Sequence, residues 1–127
     1  MSLNVLIVDD EPLARGILES YFQKISGFTV VSSCQNALEA FSILSKQKID
    51  IVLLDINMPI MNGWEFLDEY KRLNLDPLGK SKIYIISSSV FNNDINKAKS
   101  YPLVKDFVSK PLSVDKIKDL LGLLSPN

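Results

Sequence analysis

The middle of the chain, residues 49–63, reads IDIVLLDINMPIMNG. Its first half is almost wholly apolar, and only Asp50 interrupts it before Asp55. An apolar run without polar alternation is typical of a strand that is buried on both faces of a sheet. The proline, asparagine and glycine after Asp55 indicate a loop that lasts through Gly63. We therefore expect Asp55 at the C-terminal end of a buried strand.

Short runs that favour strands alternate with helical stretches along the rest of the chain. The predicted strands are residues 4–8, 28–34, 49–54 and 83–86, with a short fifth strand at Phe107 and Val108. The predicted helices begin at or next to Pro12, Asn36, Trp64, Asn93 and Ser113. Five strands that alternate with five helices predict an α/β fold with a parallel sheet covered on both faces. Right-handed crossovers favour a doubly wound arrangement, for which we expect the flavodoxin-like strand order 2-1-3-4-5.

Helical spacing also predicts which side chains face the core. In the first helix, Leu13 and Ile17 belong to a broad apolar stripe, and Gly27 is expected to end the helix. Leu38 in the second helix and Leu73 in the third are expected to point inward as well.

Composition excludes several classes of function. The chain has 127 residues, which we interpret as one domain over residues 1–127 without an effector domain. A net charge of −1 without a clustered basic face argues against nucleic-acid binding. No apolar run is long enough to cross a membrane and no secretory signal is visible, so we expect a cytoplasmic protein. The absence of histidine excludes Ser-His-Asp and Cys-His catalysis, and the single cysteine, Cys34, excludes a zinc site built on thiolates.

Four of the predicted strands end in polar or charged residues. These residues are Asp9 and Asp10 after the first strand, Asp55 after the third, Ser87 after the fourth and Lys110 after the fifth. Ligands of open α/β sheets bind outside the carboxyl ends of the strands, so we expect these side chains to converge on one rim. Converging carboxylates repel one another unless a cation joins them, and a ligand set made of oxygens suits Mg²⁺ or a similar hard cation such as Mn²⁺.

This combination of groups suits phosphoryl transfer. Asp55 would supply the attacking oxygen, and Lys110 would add a positive charge to that of the metal. Ser87 would hydrogen-bond a phosphoryl oxygen.

The ordered motifs resemble the receiver domain of two-component response regulators over essentially the whole chain. They are Asp9-Asp10 after the first strand, DINMPIMNG at 55–63, a hydroxyl after the fourth strand and Lys110-Pro111 after the fifth. The resemblance implies that Asp55 accepts a phosphoryl group from a histidine kinase or a phosphotransfer protein. It also implies a metal site made by Asp9, Asp10, Asp55 and the backbone carbonyl of Asn57, with Asp10 the more direct ligand than Asp9.

The resemblance further implies a switch. Ser87 stands at the position of the switch hydroxyl, with Ser88 as the alternative, and Phe107 stands where the family keeps an aromatic residue. Movement of Ser87 toward the phosphoryl group would vacate space for Phe107 and shift the face made by the fourth helix, fifth strand and fifth helix. The Lys110-Pro111 bond is similar to a cis peptide of the family. The downstream protein target is not identified by the sequence, and dimerisation on phosphorylation stays open.

The sequence also departs from the family pattern and leaves rival functions to weigh. Phe107 lacks the hydroxyl of the tyrosine common at that position, and residues 98–102, AKSYP, replace a small turn that often contains glycine. An aspartyl phosphatase would need a second acid where Asn57 stands, so we expect no turnover enzyme beyond the domain's own phosphotransfer and slow autodephosphorylation. A flavin module is disfavoured because the acidic loop after the first strand would repel a phosphate. An adaptor that is never phosphorylated stays an alternative.

Overall fold

The computed structural model describes residues 2–56, 58, 61–73, 81–87, 92–110 and 112–121, and only the backbone of 92–94. Strands and helices alternate along these residues. They are β1 Leu3–Val8, α1 Pro12–Gln23, β2 Phe28–Cys34, α2 Ala37–Lys46, β3 Ile51–Asp55, α3 Gly63–Arg72, β4 Lys82–Ser87, α4 Asn92–Lys99, β5 Val104–Ser109 and α5 Val114–Leu121. None of the helices in the described ranges has the length and apolar character needed to cross a membrane.

The five strands form one parallel sheet in the order β2-β1-β3-β4-β5, which confirms the predicted doubly wound topology. The central strand β3 lies between β1 and β4, and all of its residues are buried. The pairing of Asp55 with Ile86 and of Ser87 with Ser109 aligns the C-terminal ends of β3, β4 and β5. The strand ends therefore meet at one rim.

Two apolar layers cover the sheet because successive residues of a strand point to opposite faces. Leu54 of β3 packs in a cluster with residues of α2, α3 and α4, among them Phe66. Leu53 packs in a second cluster with residues of α1 and α5, among them Ile117. This arrangement explains why β3 lacks polar alternation.

The predicted inward face of α1 is wrong at two positions. Leu13 is 82% exposed and Ile17 is 49% exposed, whereas Leu18 and Phe22 are buried. The helix contacts the sheet along the line of Leu18 and Phe22, and about 100° of rotation per residue places Leu13 roughly 140° away from Leu18. The helix also ends at Gln23, before Gly27.

Glycine at 27 has a structural role in the following turn. Its φ of 92° lies in the left-handed region that favours glycine, and its carbonyl accepts a hydrogen bond of 2.9 Å from the Leu3 backbone N–H. Gly27 thus completes the turn between α1 and β2, directly before the first residue of β2.

Two further leucines are exposed, contrary to prediction. Leu38 is 78% exposed because α2 packs through Ala37 and Ala40. Leu73 is 42% exposed and lies just beyond the last residue of α3.

An aromatic contact joins α3 to the end of α4. The Trp64 and Tyr101 rings stack with centroids 5.7 Å apart, and Lys97 Nζ lies 5.1 Å from the Trp64 ring centroid. The Tyr101 hydroxyl donates a 3.0 Å hydrogen bond to Asp68. The sequence pattern predicts that this helix extends from Asn93 to Tyr101, whereas α4 ends at Lys99. Tyr101 therefore lies outside the helix and can reach α3.

Candidate functional site

Asp9 lies in the turn between β1 and α1, and each of its polar groups has a hydrogen-bond partner. Its backbone N–H donates to the Cys34 carbonyl at 3.0 Å, and its own carbonyl accepts from Arg15 Nη1 at 2.6 Å. Asp9 Oδ1 accepts from the Glu11 backbone N–H at 2.9 Å, and Oδ2 accepts from Lys110 Nζ at 2.9 Å. Asp9 is only 2% exposed, so these contacts replace its hydration.

The side chain of Lys110 connects the buried carboxylates. Its Nζ lies 3.8 Å from Asp55 Oδ2 and 3.9 Å from Glu11 Oε1, in addition to its bond with Asp9. Burial lowers the pKa of the Lys110 ammonium, but the hydrogen bond to Asp9 and the charges of Asp55, Asp9 and Glu11 raise it more. The net pKa lies above the ordinary lysine value, so Lys110 is a cation at neutral pH.

Strand pairing brings Lys110 to this position. The Lys110 backbone N–H donates a 2.8 Å hydrogen bond to the Ser87 carbonyl, directly after the pairing of Ser87 with Ser109. Ser87 is fully buried at the end of β4, and Asp55, 3% exposed, ends the adjacent strand. The structure therefore brings together the strand-end residues that the sequence predicts to converge.

Four acids make a cluster at this rim. Ligand oxygens of Asp9, Asp10, Glu11 and Asp55 all lie within 4.8 Å of one another. The donors are carboxylate oxygens without nitrogen or sulfur, which is the chemistry that Mg²⁺ prefers. The cluster therefore fits a hard divalent cation.

Two residues of the site were not predicted. Glu11 stands directly after the acid pair, and that position was its only signal in the sequence. Arg15 lies one turn into α1 and contacts the main chain of Asp9, a contact that no residue spacing reveals. Three predicted positions, Asn57, Ser88 and Pro111, lie outside the described residues, and so does the Lys110-Pro111 peptide.

Phe107 lies on the α4 side of the sheet. It is half-buried, pairs with Ile85 and packs against the cluster that contains Ile85. Ser87 follows two residues after Ile85, so Ser87 and Phe107 are directed to the same face. A groove of about 300 Å³ between α4 and β5 is lined by Ile95, Phe107 and neighbouring residues.

The segment after Asp55 is pressed against the start of α3. The Gly63 backbone N–H donates to the Ile56 carbonyl at 3.1 Å, and a Cβ on Gly63 would lie 2.6 Å from Ile56 Cα. Asn62 and Glu65 form a reciprocal capping box at the same helix end. Gly63 is therefore required for this close approach.

Comparison with known proteins places these features in a family. Residues 5–122 match the sequence model of the response regulator receiver domain. The transcriptional regulatory protein BtsR of Escherichia coli (strain K12) is 34% identical over 122 residues, which are 96% of this chain and 48% of that protein. The transcriptional regulatory protein MalR of Bacillus subtilis (strain 168) is 32% identical over 94% of this chain and 49% of its own length. The chain thus spans about half the length of these relatives.

Solved structures agree with this result. A two-component response regulator from Cytophaga hutchinsonii is 27% identical, with a TM-score of 0.86 and coverage of 98% of both chains. The chemotaxis response regulator CheY4 of Vibrio cholerae, 21% identical, shares the fold with a TM-score of 0.83 over 98% of this chain and 99% of its own. The sequence match, the strand order and the acidic rim together show that the chain belongs to the response regulator receiver domain family.

Proposed function

We propose that this receiver domain accepts a phosphoryl group on the Asp55 carboxylate from a phosphohistidine of a histidine kinase or phosphotransfer protein. The observation that carries the proposal is the buried Asp55 carboxylate, 3.8 Å from the Lys110 ammonium and inside the acidic cluster. An Asp55 oxygen attacks phosphorus, the P–N bond of the donor breaks, and its electron pair stays on the donor imidazole.

The residues that would hold Mg²⁺, or Mn²⁺, are Asp10 and Asp55, with Asp9 and the backbone carbonyl of Asn57. Each carboxylate oxygen of Asp9 already accepts a hydrogen bond, whereas no hydrogen bond within the described residues engages the side chain of Asp10. This difference supports Asp10 as the more direct ligand. Bound there, the cation would offset charge on the phosphoryl oxygens.

Lys110 and Ser87 stabilise the phosphoryl group in this proposal. The Lys110 ammonium lies close enough to Asp55 to donate to an oxygen added on that side chain. Ser87, at the end of the adjacent strand, donates its hydroxyl to a second oxygen, and Ser88 is the alternative donor. Both contacts form only after the phosphoryl group has been transferred, so they distinguish the phosphorylated state from the unphosphorylated state.

The output is a shift of the face made by α4, β5 and α5. Ser87 moves toward the phosphoryl group and vacates space on the face that Phe107 shares. Of the side chains described in α4, only Ala98 is buried, so few apolar contacts hold the helix to the sheet. A downstream protein would recognise the shifted face.

Intact-mass measurement after incubation with acetyl phosphate tests the acceptor. We expect the mass of one phosphoryl group to be gained in the presence of Mg²⁺ and not in EDTA. Asp55→Asn should lose the gain, while Asp119→Asn, which removes an exposed acid from α5, should keep it. Stoichiometric labelling of Asp55→Asn would contradict the assignment.

A second measurement addresses the enzyme alternative. We expect no turnover of a simple phosphomonoester in the presence of Mg²⁺. Sustained turnover would favour an aspartyl phosphatase.

A further inference from the structure

The side chain of Arg15 reaches back from α1 to the main chain of Asp9, with Nη1 2.6 Å from the carbonyl oxygen. We propose that Arg15 is a positioning residue for the metal site, because it fixes the peptide between Asp9 and Asp10 and so directs the Asp10 carboxylate. The inference rests on the proposed function, in which that carboxylate holds the cation.

The Asp9 carbonyl needs a donor from outside the strand. It lies one residue beyond the end of β1, and the helix that follows begins with Pro12, which has no backbone N–H. The Glu11 N–H is already directed to the Asp9 carboxylate. A carbonyl at this part-buried position is costly to leave without a hydrogen bond, and Arg15 supplies the donor.

The carbonyl direction matters because a peptide unit is planar. Holding the Asp9 carbonyl fixes the plane that it shares with the Asp10 N–H, and this limits the rotations that determine where the Asp10 side chain points. The three other contacts of Asp9 act on its N–H and on its carboxylate. The bond from the Glu11 N–H to Asp9 Oδ1 also spans Asp10, but among the described contacts only Arg15 binds the Asp9 carbonyl itself.

Charge and positioning predict opposite results when Arg15 is removed. A guanidinium is always protonated, and as a nearby charge it would repel a divalent cation. If Arg15 were only such a charge, its removal would tighten Mg²⁺ binding. If it holds the Asp9 carbonyl, its removal weakens Mg²⁺ binding, so the sign of the change separates the two roles.

Isothermal titration of Mg²⁺ into the protein, without a phosphoryl donor, measures this sign. We expect Arg15→Gln to raise the Mg²⁺ Kd about tenfold, the low end for loss of a group that orients a metal ligand. Arg15→Lys keeps the charge and one donor group, and its Kd should lie between those of the wild type and Arg15→Gln. Arg72→Gln removes the same charge from α3, where Arg72 pairs with Glu69, and should leave the Kd unchanged.

Two further readouts separate positioning from a general loss of structure. Thermal unfolding in EDTA should show a folded Arg15→Gln protein, and at saturating Mg²⁺ its acetyl phosphate labelling rate should return to that of the wild type. Should Arg15→Gln fail to fold, Arg15→Met decides, because it removes both the charge and the donor but keeps the apolar part of the side chain. A Kd for Arg15→Met at or below the wild-type value would then overturn the inference. An Arg15→Gln Kd equal to or below the wild-type value would also overturn it. A folded wild type that takes up no Mg²⁺ would refute the metal site itself, and with it this role for Arg15.

Discussion

Replacement of Lys110 by methionine should destabilise the metal-free domain by about 3 kcal/mol. At an effective dielectric constant of about 20, the ammonium gains about 6 kcal/mol from Asp9 at 2.9 Å and about 4 kcal/mol from Asp55 at 3.8 Å. Burial of the ammonium opposes these gross terms by several kcal/mol. Removal of one partner from a buried ion pair costs roughly 3–5 kcal/mol, and the 19% exposure of the Lys110 side chain places this pair at the lower end.

Urea unfolding followed by circular dichroism measures this loss. In EDTA the Lys110→Met protein should show the full deficit, and saturating Mg²⁺ should reduce it because a bound cation also offsets the carboxylate charges. Lys118→Met makes the same change at an exposed position of α5 and should alter stability little. If Lys110→Met in EDTA lies within about 1 kcal/mol of the wild type, as for an exposed ion pair, the reasoning is refuted.

Two more predictions concern the same rim. Gly63→Ala should destabilise the domain by roughly 1–3 kcal/mol in the same urea assay, because its Cβ would collide with Ile56. Gly16→Ala should instead stabilise the domain by about 0.5–1 kcal/mol, because a Cβ at that position of α1 meets open space. Equal effects of the two glycine substitutions would contradict the close approach. Asp10→Asn should stabilise the protein in EDTA by about 1 kcal/mol through loss of carboxylate repulsion, and weaken Mg²⁺ binding by calorimetry. A destabilised Asp10→Asn protein in EDTA would show that repulsion is not the dominant interaction of that carboxylate.

The topology was predictable because it depends on periodicity and on the order of elements. The apolar run that ends at Asp55 predicts a strand buried on both faces, and β3 is such a strand. The convergence of Asp9, Asp55 and Lys110 follows from the rule that parallel strands present their carboxyl ends at one edge. These features required no knowledge of individual side-chain contacts.

The features that the sequence did not predict depend on packing geometry. The apolar stripe of α1 is wider than its contact with the sheet, so spacing alone assigned Leu13 to the core. Arg15 and Glu11 act through contacts with the Asp9 main chain and with Lys110, and neither contact has a characteristic spacing. Tyr101 was assigned to α4, although its ring instead stacks on Trp64 of α3.

That stacked arrangement makes the protein its own optical probe. Trp64 is the only tryptophan in the chain, and its indole lies against a lysine from α4 and a tyrosine that follows that helix. Indole emission responds to the charge and polarity next to the ring, so a displacement of α4 alters the spectrum without an attached dye. Trp64 therefore offers a direct readout of the α4 shift that we propose for the phosphorylated state.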